Sequence, residues 1–256
     1  MRDAAEQLKR AVRVERVGWR LAGICLAVAA AGALTGGCQS EGADSSDSAP
    51  PSGSPSEGGD PSEGADGSSS PPSPEGLPAP DDARELLDGL TVAEQRSMTG
   101  YSRDRFPHWT SEDGCTVRQR VLLRDGEDVV TDDDCQPTSG SWYSAYDGET
   151  YTDAGDVDID HIVPLANAWR SGADEWTDER REAFANDLEG PQLLAVGDRV
   201  NQSKGDQSPD QWLPPVEAYG CDYARAWIAV KAAYELNVTE PEQRELGALL
   251  DTCGGA

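Results

Sequence analysis

The chain has 256 residues and carries 21 Lys and Arg against 48 Asp and Glu, a formal net charge of −27 at pH 7. This composition argues against a protein that holds nucleic acid on a broad basic face, because like charges repel over roughly a Debye length, ~10 Å at 0.1 M salt. The length allows one or two domains.

The first 38 residues have the composition of an export signal. Arginines at 13, 16 and 20 precede an apolar run over 21–37, which ends at Cys38. A charged segment followed by an apolar segment and small residues is typical of a secretory signal peptide. The segment L-T-G-G-C resembles a lipobox, although Thr35 stands at the third position before the cysteine. We therefore predict an exported protein, either extracellular or anchored to the cell membrane through a lipidated Cys38, with the lipoprotein favoured.

The next segment, 39–80, consists almost wholly of Ser, Gly, Pro, Asp, Glu and Ala. Such a chain cannot bury enough apolar surface to offset its ordering entropy, so we predict a disordered linker. The folded domain is expected over 81–256, which is long enough for one sizeable core. That part carries 15 Lys and Arg against 37 Asp and Glu, a net charge of −22.

Hydrophobic periodicity and turn residues predict the elements of this domain. In chain order they are a helix over 83–97, a strand over 116–123 that turns at Asp125-Gly126 and returns through 129–130, strands over 142–146 and 157–160, helices over 164–171 and 178–186, a short buried strand over 191–196, a short helix that starts within 197–206, and helices over 222–236 and 241–251. The expected class is α+β, with a small antiparallel sheet and more helix toward the C-terminus.

Four cysteines lie in the predicted domain: Cys115, Cys135, Cys221 and Cys253. An even number in an exported domain indicates disulfides, and four cysteines allow three pairings. We favour Cys115 with Cys135, flanking the predicted hairpin, and Cys221 with Cys253, bracketing the last two helices. A zinc site would need closely spaced cysteine pairs, which this chain lacks.

Two short motifs carry the chemistry: D-I-D-H-I-V-P-L over 158–165 and N-Q-S-K-G-D over 201–206. On a strand, Asp158 and Asp160 share one face while His161 takes the other. A carboxylate that can hold a hard cation beside an imidazole that can accept a proton suffices for metal-assisted hydrolysis. The alternative is a histidine in a polar turn and an aspartate that caps a helix.

The order of residues around these motifs resembles the HNH, or ββα-metal, endonucleases. Asp-His ends a strand, Asn186 lies in the intervening segment, and after a further strand Asn201 is followed by Lys204. A W-x-S-x-Y-D-G segment over 142–148 makes the likeness closest to the GmrSD-type branch and its secreted actinobacterial relatives. The resemblance covers roughly 101–253 and implies a ββα-metal core within a disulfide-stapled α+β domain.

The resemblance also implies a role for each matching residue. Asp160 would be the metal carboxylate and Asn201 a second ligand for one divalent ion, Mg²⁺ or Mn²⁺. His161 would be the general base, and Asn186 would orient the loop and that base. Lys204 would either neutralise charge on the phosphate or lie on the surface as a solvated lysine.

The interpretation that follows is an exported, monomeric, metal-dependent endonuclease that acts on nucleic acid, with DNA favoured. The alternative is a non-catalytic cell-envelope lipoprotein that uses the HNH scaffold as a binding module, which the acidity would suit. Arg170, Arg199 and Lys204 lie close to the motifs in sequence and could form a basic group. Asn201 could instead cap a helix, and His108 is expected to be structural.

Overall fold

The computed structural model describes residues 76–254. The predicted signal peptide with Cys38 and residues 39–75 of the predicted linker lie outside the described residues. Within 76–254, no helix is long and apolar enough to cross a membrane.

The described part combines seven α-helices with seven short strands, which confirms the predicted α+β class. The helices are α1 (Pro80–Gly89), α2 (Val117–Asp125), α3 (Leu165–Arg170), α4 (Asp178–Ala185), α5 (Asp198–Lys204), α6 (Gly220–Ala233) and α7 (Glu240–Asp251). The strands are β1 (Ser111–Glu112), β2 (Cys115–Thr116), β3 (Glu127–Thr131), β4 (Pro137–Tyr143), β5 (Thr150–Tyr151), β6 (Val157–His161) and β7 (Leu193–Gly197). Single 3₁₀ turns cover Arg103–Arg105, Ala154–Asp156, Ala173–Glu175 and Glu217–Tyr219.

A ββα unit made of β6, β7 and α5 positions the predicted site. The two strands pair antiparallel, with Ile159 opposite Ala195, and α3 and α4 are inserted between them. Helix α5 begins directly after Gly197, where a Cβ would lie only 2.2 Å from the Tyr151 hydroxyl. Only glycine permits that close approach, so the turn from β7 into α5 is fixed by packing as well as by sequence.

Two hydrophobic clusters stabilise this unit from opposite sides. The larger one joins α1, α3, α4, α6 and α7 and includes the fully buried Phe184, Tyr223 and Trp227. The smaller one lies between α2, β4 and the β6–β7 pair, where the Trp142 indole donates a 2.8 Å hydrogen bond to the Leu122 carbonyl. The ββα unit is therefore held between two cores.

Both disulfides have the favoured pairing. Cys115–Cys135 joins β2 to the turn that precedes β4, and Cys221–Cys253 joins the start of α6 to the end of α7. The bridged cysteines are 20 and 32 residues apart in sequence, so each disulfide closes a loop and restricts the unfolded chain.

One predicted element is wrong: the predicted strand over 116–123 is a helix, with Thr116 as its N-cap and residues 117–123 in α2. The Thr116 hydroxyl accepts from the Gln119 backbone N–H, and the Gln119 side chain accepts from the Thr116 N–H at 2.7 Å. This capping box starts a helix locally and outweighs the alternation of the side chains. Asp125-Gly126 consequently ends that helix instead of turning a hairpin.

The remaining differences concern element ends. The helix predicted over 83–97 ends at Gly89, and Val92 then forms a parallel bridge with Val238. The strand predicted over 142–146 is displaced to Pro137–Tyr143, because a turn closed by the Gly148 N–H on the Ser144 carbonyl follows it. The other predicted helices and strands are confirmed to within about three residues at their ends, the usual uncertainty of such boundaries.

Candidate metal and catalytic site

An open cleft of about 270 Å³ lies beside the end of β6 and the last turn of α5. Arg103, Asp160, His161, Asn201 and Asp206 are among its lining residues. The fold therefore brings together the Asp-His pair and Asn201, which the resemblance to HNH endonucleases had grouped, and adds an arginine from the segment that precedes β1.

Asp160 is buried and lines this cleft. Its Oδ2 accepts hydrogen bonds from the Tyr146 hydroxyl at 2.6 Å and from Lys204 Nζ at 2.5 Å. Burial raises the pKa of the Asp160 carboxyl, while the attraction to Lys204 opposes that rise. Because both hydrogen bonds go to Oδ2, Oδ1 is the oxygen left for a ligand in the cleft.

Lys204 is not a surface lysine. Its side chain has 0 % exposure, and beyond Asp160 its ammonium donates to the carbonyls of His161 at 2.8 Å and Ile162 at 3.0 Å. An ammonium has three N–H donors, so all of them are used. The prediction that Lys204 either lies in solvent or contacts a phosphate needs correction, since such a contact would require the ammonium to leave these buried partners.

Tyr146 explains why the W-x-S-x-Y-D-G segment precedes the Asp-His motif. This tyrosine had no predicted role of its own, yet it is fully buried and its hydroxyl donates a hydrogen bond to Asp160. The following Asp147 accepts from the Tyr151 hydroxyl at 2.9 Å, and Gly148 has a φ of 77°, which favours glycine. The segment is thus a turn that delivers a hydroxyl to the carboxylate.

His161 is held as a neutral imidazole with one free nitrogen. Its Nε2 lies 2.9 Å from the Ala185 carbonyl, and a carbonyl can only accept, so Nε2 carries the hydrogen and Nδ1 a lone pair. The pKa of His161 is lowered from 6.5 to about 3, mainly by burial; the hydrogen bond to Ala185 opposes this shift and the positive charge of Arg103 adds to it. His161 as a whole is 5 % exposed, so the imidazole is largely shielded from solvent.

Asn186 connects the base to the segment in front of the cleft. It follows Ala185, whose carbonyl accepts from His161, and ends α4. Its amide nitrogen donates to the Pro107 carbonyl at 2.7 Å, and its amide oxygen accepts from the Thr110 N–H at 3.1 Å. Asn186 therefore does not reach into the cleft but ties residues 107–110 to the end of α4.

Asn201 lines the cleft from the middle of α5. Its amide nitrogen donates to Asp158 Oδ2 at 3.2 Å, which turns the amide oxygen away from that carboxylate. Because α5 begins at Asp198 after Gly197, Asn201 does not cap a helix, and that alternative is wrong. Asp158 orients the amide of Asn201.

The donor atoms fit a hard divalent cation. Mg²⁺ and Mn²⁺ prefer carboxylate, amide and water oxygens, and Mg²⁺ usually keeps several waters. Asp160 Oδ1 and the Asn201 amide oxygen supply such donors at one cleft. Within residues 76–254 no three His, Cys, Asp or Glu side chains form a metal-binding group. A cation here would be held by these two residues and by water.

Three residues beside the base were missed or undervalued by sequence analysis. The Trp109 ring lies 5.6 Å from the His161 ring, and His108 lies 6.5 Å from it. Arg103 Nε donates to His108 Nε2 at 3.2 Å, while His108 Nδ1 donates to the Phe106 carbonyl at 2.8 Å. No spacing rule links this segment to the Asp-His motif, so only the fold reveals the neighbourhood.

The basic residues near the motifs do not form a group. Arg170 is paired with Asp206 at 3.0 Å, and Lys204 is buried on Asp160. Arg199 is exposed and does not line the cleft. The expected basic group is therefore absent from the described part of the chain.

Comparisons with known proteins agree with this geometry. A family model described as "GmrSD restriction endonucleases, C-terminal domain" matches residues 108–249, more than half of the chain. The chain is also 56% identical over 172 residues to a protein of Arthroderma benhamiae (strain ATCC MYA-4681 / CBS 112371) named "Uncharacterized secreted protein", covering 67% of this chain and 84% of that relative. No solved structure matches. A secreted relative and two disulfides are consistent with export.

Proposed function

This chain belongs to the family of the C-terminal domain of GmrSD restriction endonucleases, and on that premise we propose that it is an exported, metal-dependent endonuclease. It would hydrolyse phosphodiester bonds of nucleic acid, with DNA favoured. The observation that carries the proposal is the pair formed at the end of β6: a carboxylate that lines the cleft and has one oxygen without a hydrogen bond from residues 76–254, next to a neutral imidazole whose Nδ1 is free.

The residues divide the work as follows. His161 Nδ1 takes the proton from the water that attacks phosphorus, because its Nε2 is already committed to Ala185. Asp160 Oδ1 and the Asn201 amide oxygen would hold Mg²⁺ or Mn²⁺. A bound cation of this kind neutralises charge on the scissile phosphate and stabilises the leaving oxygen.

The surrounding residues keep these groups in place. Lys204 and Tyr146 fix the orientation of the Asp160 carboxylate by occupying Oδ2, and Asp158 fixes the amide of Asn201. Removing a residue that orients a metal ligand in this way typically lowers metal affinity or activity by about 10- to 100-fold.

Cleavage of labelled DNA tests the proposal. Single-stranded and duplex DNA should be cut in the presence of Mg²⁺ or Mn²⁺, EDTA should stop the reaction, and His161→Ala should cut at least ~100-fold more slowly under the same conditions. DNA and RNA that stay intact with either metal would leave a binding module as the better interpretation.

Export is the second part of the proposal. The mature chain would either carry a lipid on Cys38 or be released without one, and mass spectrometry of the N-terminal peptide from cells and medium separates the two. A chain that keeps residues 1–37 in both fractions would contradict both forms of processing.

A further inference from the structure

Almost all positively charged side chains of this domain are paired with carboxylates or backbone carbonyls of the same domain. Of the 15 Lys and Arg in the described residues, 12 form ion pairs with carboxylates at 3.8 Å or closer. Arg118 donates instead to the Ala154 and Val157 carbonyls. Only Arg103 and Arg199, among residues 76–254, have guanidinium groups outside such arrangements.

Of these two arginines, only Arg103 lines the cleft that contains Asp160 and His161. Its backbone is fixed by the 3₁₀ turn Arg103–Arg105, whose following residue Phe106 is fully buried against Trp169 and Phe184. The guanidinium is therefore an exposed group on a rigid base.

The hydrogen bond to His108 uses one donor of Arg103 and leaves the others free. A guanidinium has five N–H donors, of which Nε–H is directed at His108 Nε2. The two terminal NH₂ groups remain, and this edge matches two oxygens of a phosphate. His108, expected to be structural, thus orients a phosphate-binding edge.

We infer that Arg103 is the single cationic phosphate contact of this cleft and that the site is built for single-stranded nucleic acid. The inference rests on the proposed function and names its substrate class. A duplex carries one negative charge per roughly 1.7 Å of axis, so docking it would bring many phosphates near a surface of net charge −22. A flexible single strand can place one phosphate in the cleft while the rest of the strand leads away from the acidic surface.

This arrangement predicts an unusual salt dependence. Each phosphate contact contributes a slope of about −0.7 to log K against log[salt] for a single strand. With one contact, affinity for a single strand should fall only about threefold or less between 50 and 200 mM salt. Cleavage of a duplex of the same sequence should be slower at low salt and should approach the single-strand rate as salt screens the repulsion.

The test compares Arg103→Ala, Arg103→Lys and Arg199→Ala by steady-state cleavage of a short labelled single-stranded DNA. Both alanine variants remove one positive charge from an exposed arginine, so Arg199→Ala controls for long-range charge. Arg103→Ala should lower kcat/KM about 10- to 100-fold, mostly through KM, because a charge-assisted hydrogen bond to the substrate is lost. Arg103→Lys should recover part of the loss, and Arg199→Ala should match the wild type.

Two results would overturn the inference while leaving the proposed function intact. One is an equal effect of Arg103→Ala and Arg199→Ala in an otherwise active protein. The other is a wild-type salt slope steeper than about −4, which would require six or so phosphate contacts. Absence of cleavage by the wild-type protein would instead overturn the proposed function, and this inference with it.

Discussion

Two lysine–carboxylate pairs are buried in this domain, and the difference between them separates structure from function. Lys204 lies 2.5 Å from Asp160, and Lys231 lies 3.0 Å from Glu242. Both lysines have 0 % exposure, and burial lowers the pKa of each. Neither pair is expected to add much to the free energy of unfolding, because removing two charges from water costs about as much as their mutual attraction contributes.

The pair in the helical core is complete. Glu242 Oε1 accepts from the Trp227 indole at 2.6 Å, and Oε2 accepts from the Thr239 N–H at 3.1 Å in the capping box that starts α7. The Lys231 ammonium donates to oxygens of Asn167, Ser171 and Asn237. Each carboxylate oxygen has a partner, so this pair joins α6 to α7 and has no oxygen left for a ligand.

The pair beside the cleft is incomplete in one respect. Asp160 receives both of its hydrogen bonds on Oδ2 and lines the cleft next to His161. Both pairs are buried and the pKa of each lysine is lowered, so neither property identifies a functional site. The distinguishing feature is a carboxylate oxygen that accepts no hydrogen bond within the described part of the chain, which Asp160 has and Glu242 lacks.

The largest expected effect is on cleavage activity, which should depend on the residues beside the cleft but not on the Lys231–Glu242 pair. His161→Ala should lower turnover by roughly 10²- to 10⁴-fold, the range for loss of a general base. Glu242→Gln should leave the turnover of the folded protein unchanged, because that carboxylate lies outside the cleft. Cleavage rates are measured at matched metal, with circular dichroism to establish the folded fraction. Wild-type turnover in His161→Ala would remove this histidine from the mechanism.

The second prediction separates the pairs by stability. Lys204→Met and Lys231→Met should each cost about 3–5 kcal/mol in EDTA, because each leaves a buried carboxylate without its cation. Mn²⁺ should restore part of the loss in Lys204→Met, since a cation at Asp160 replaces the missing charge. Lys231→Met should gain no more from Mn²⁺ than the wild type does. Equal rescue of both variants in denaturant titrations would mean that the cation acts elsewhere.

The free energy of unfolding measured as a function of pH tests whether the pKa of His161 is lowered in the folded protein. The pKa of His161 falls from 6.5 to about 3 on folding, so between these values the unfolded chain binds a proton that the native state does not. In metal-free buffer, wild-type stability should therefore fall as pH drops below 6.5, by about 1.4 kcal/mol per pH unit relative to His161→Gln. Parallel curves for the two proteins would show that the imidazole titrates normally.

The smallest expected effect concerns Asn201. Asn201→Ala removes an amide oxygen and should weaken the dependence on Mn²⁺ by about tenfold or more, whereas Asn201→Asp keeps an oxygen and should retain measurable activity with a shift toward Mn²⁺. A metal titration of the cleavage rate, beside a thermal melt, gives both quantities. If Asn201→Ala melts at a lower temperature but has an unchanged metal dependence, Asn201 contributes packing alone.

Much of the scaffold was predictable because its signals are local. Alternation over Val157–His161 predicted β6, and four cysteines in an exported domain predicted disulfides, whose pairing proved to be the favoured one of the three possible. Helix α2 was not predictable from alternation, because the capping box of Thr116 with Gln119 decided the local structure. A hydrogen-bond signal four residues long outweighed a pattern eight residues long.

The site itself was predictable only in part. Asp160 and His161 are adjacent in sequence, but the burial of Lys204 depends on a carboxylate 44 residues away. The location of Arg103 is harder still, since an exposed arginine in a polar segment has no sequence feature that indicates a cleft. Such residues become visible only when ion pairing is followed across the whole domain.

Binding of Mn²⁺ tests the central claim most directly. Isothermal titration at physiological salt, which screens weak binding to the acidic surface, should give one Mn²⁺ per wild-type chain. Glu242→Gln should bind the same single ion, and Asp160→Ala should lose it. If Asp160→Ala binds Mn²⁺ like the wild type, or if Glu242→Gln loses the ion instead, then the oxygen left on Asp160 is not a metal ligand and the contrast between the two pairs fails.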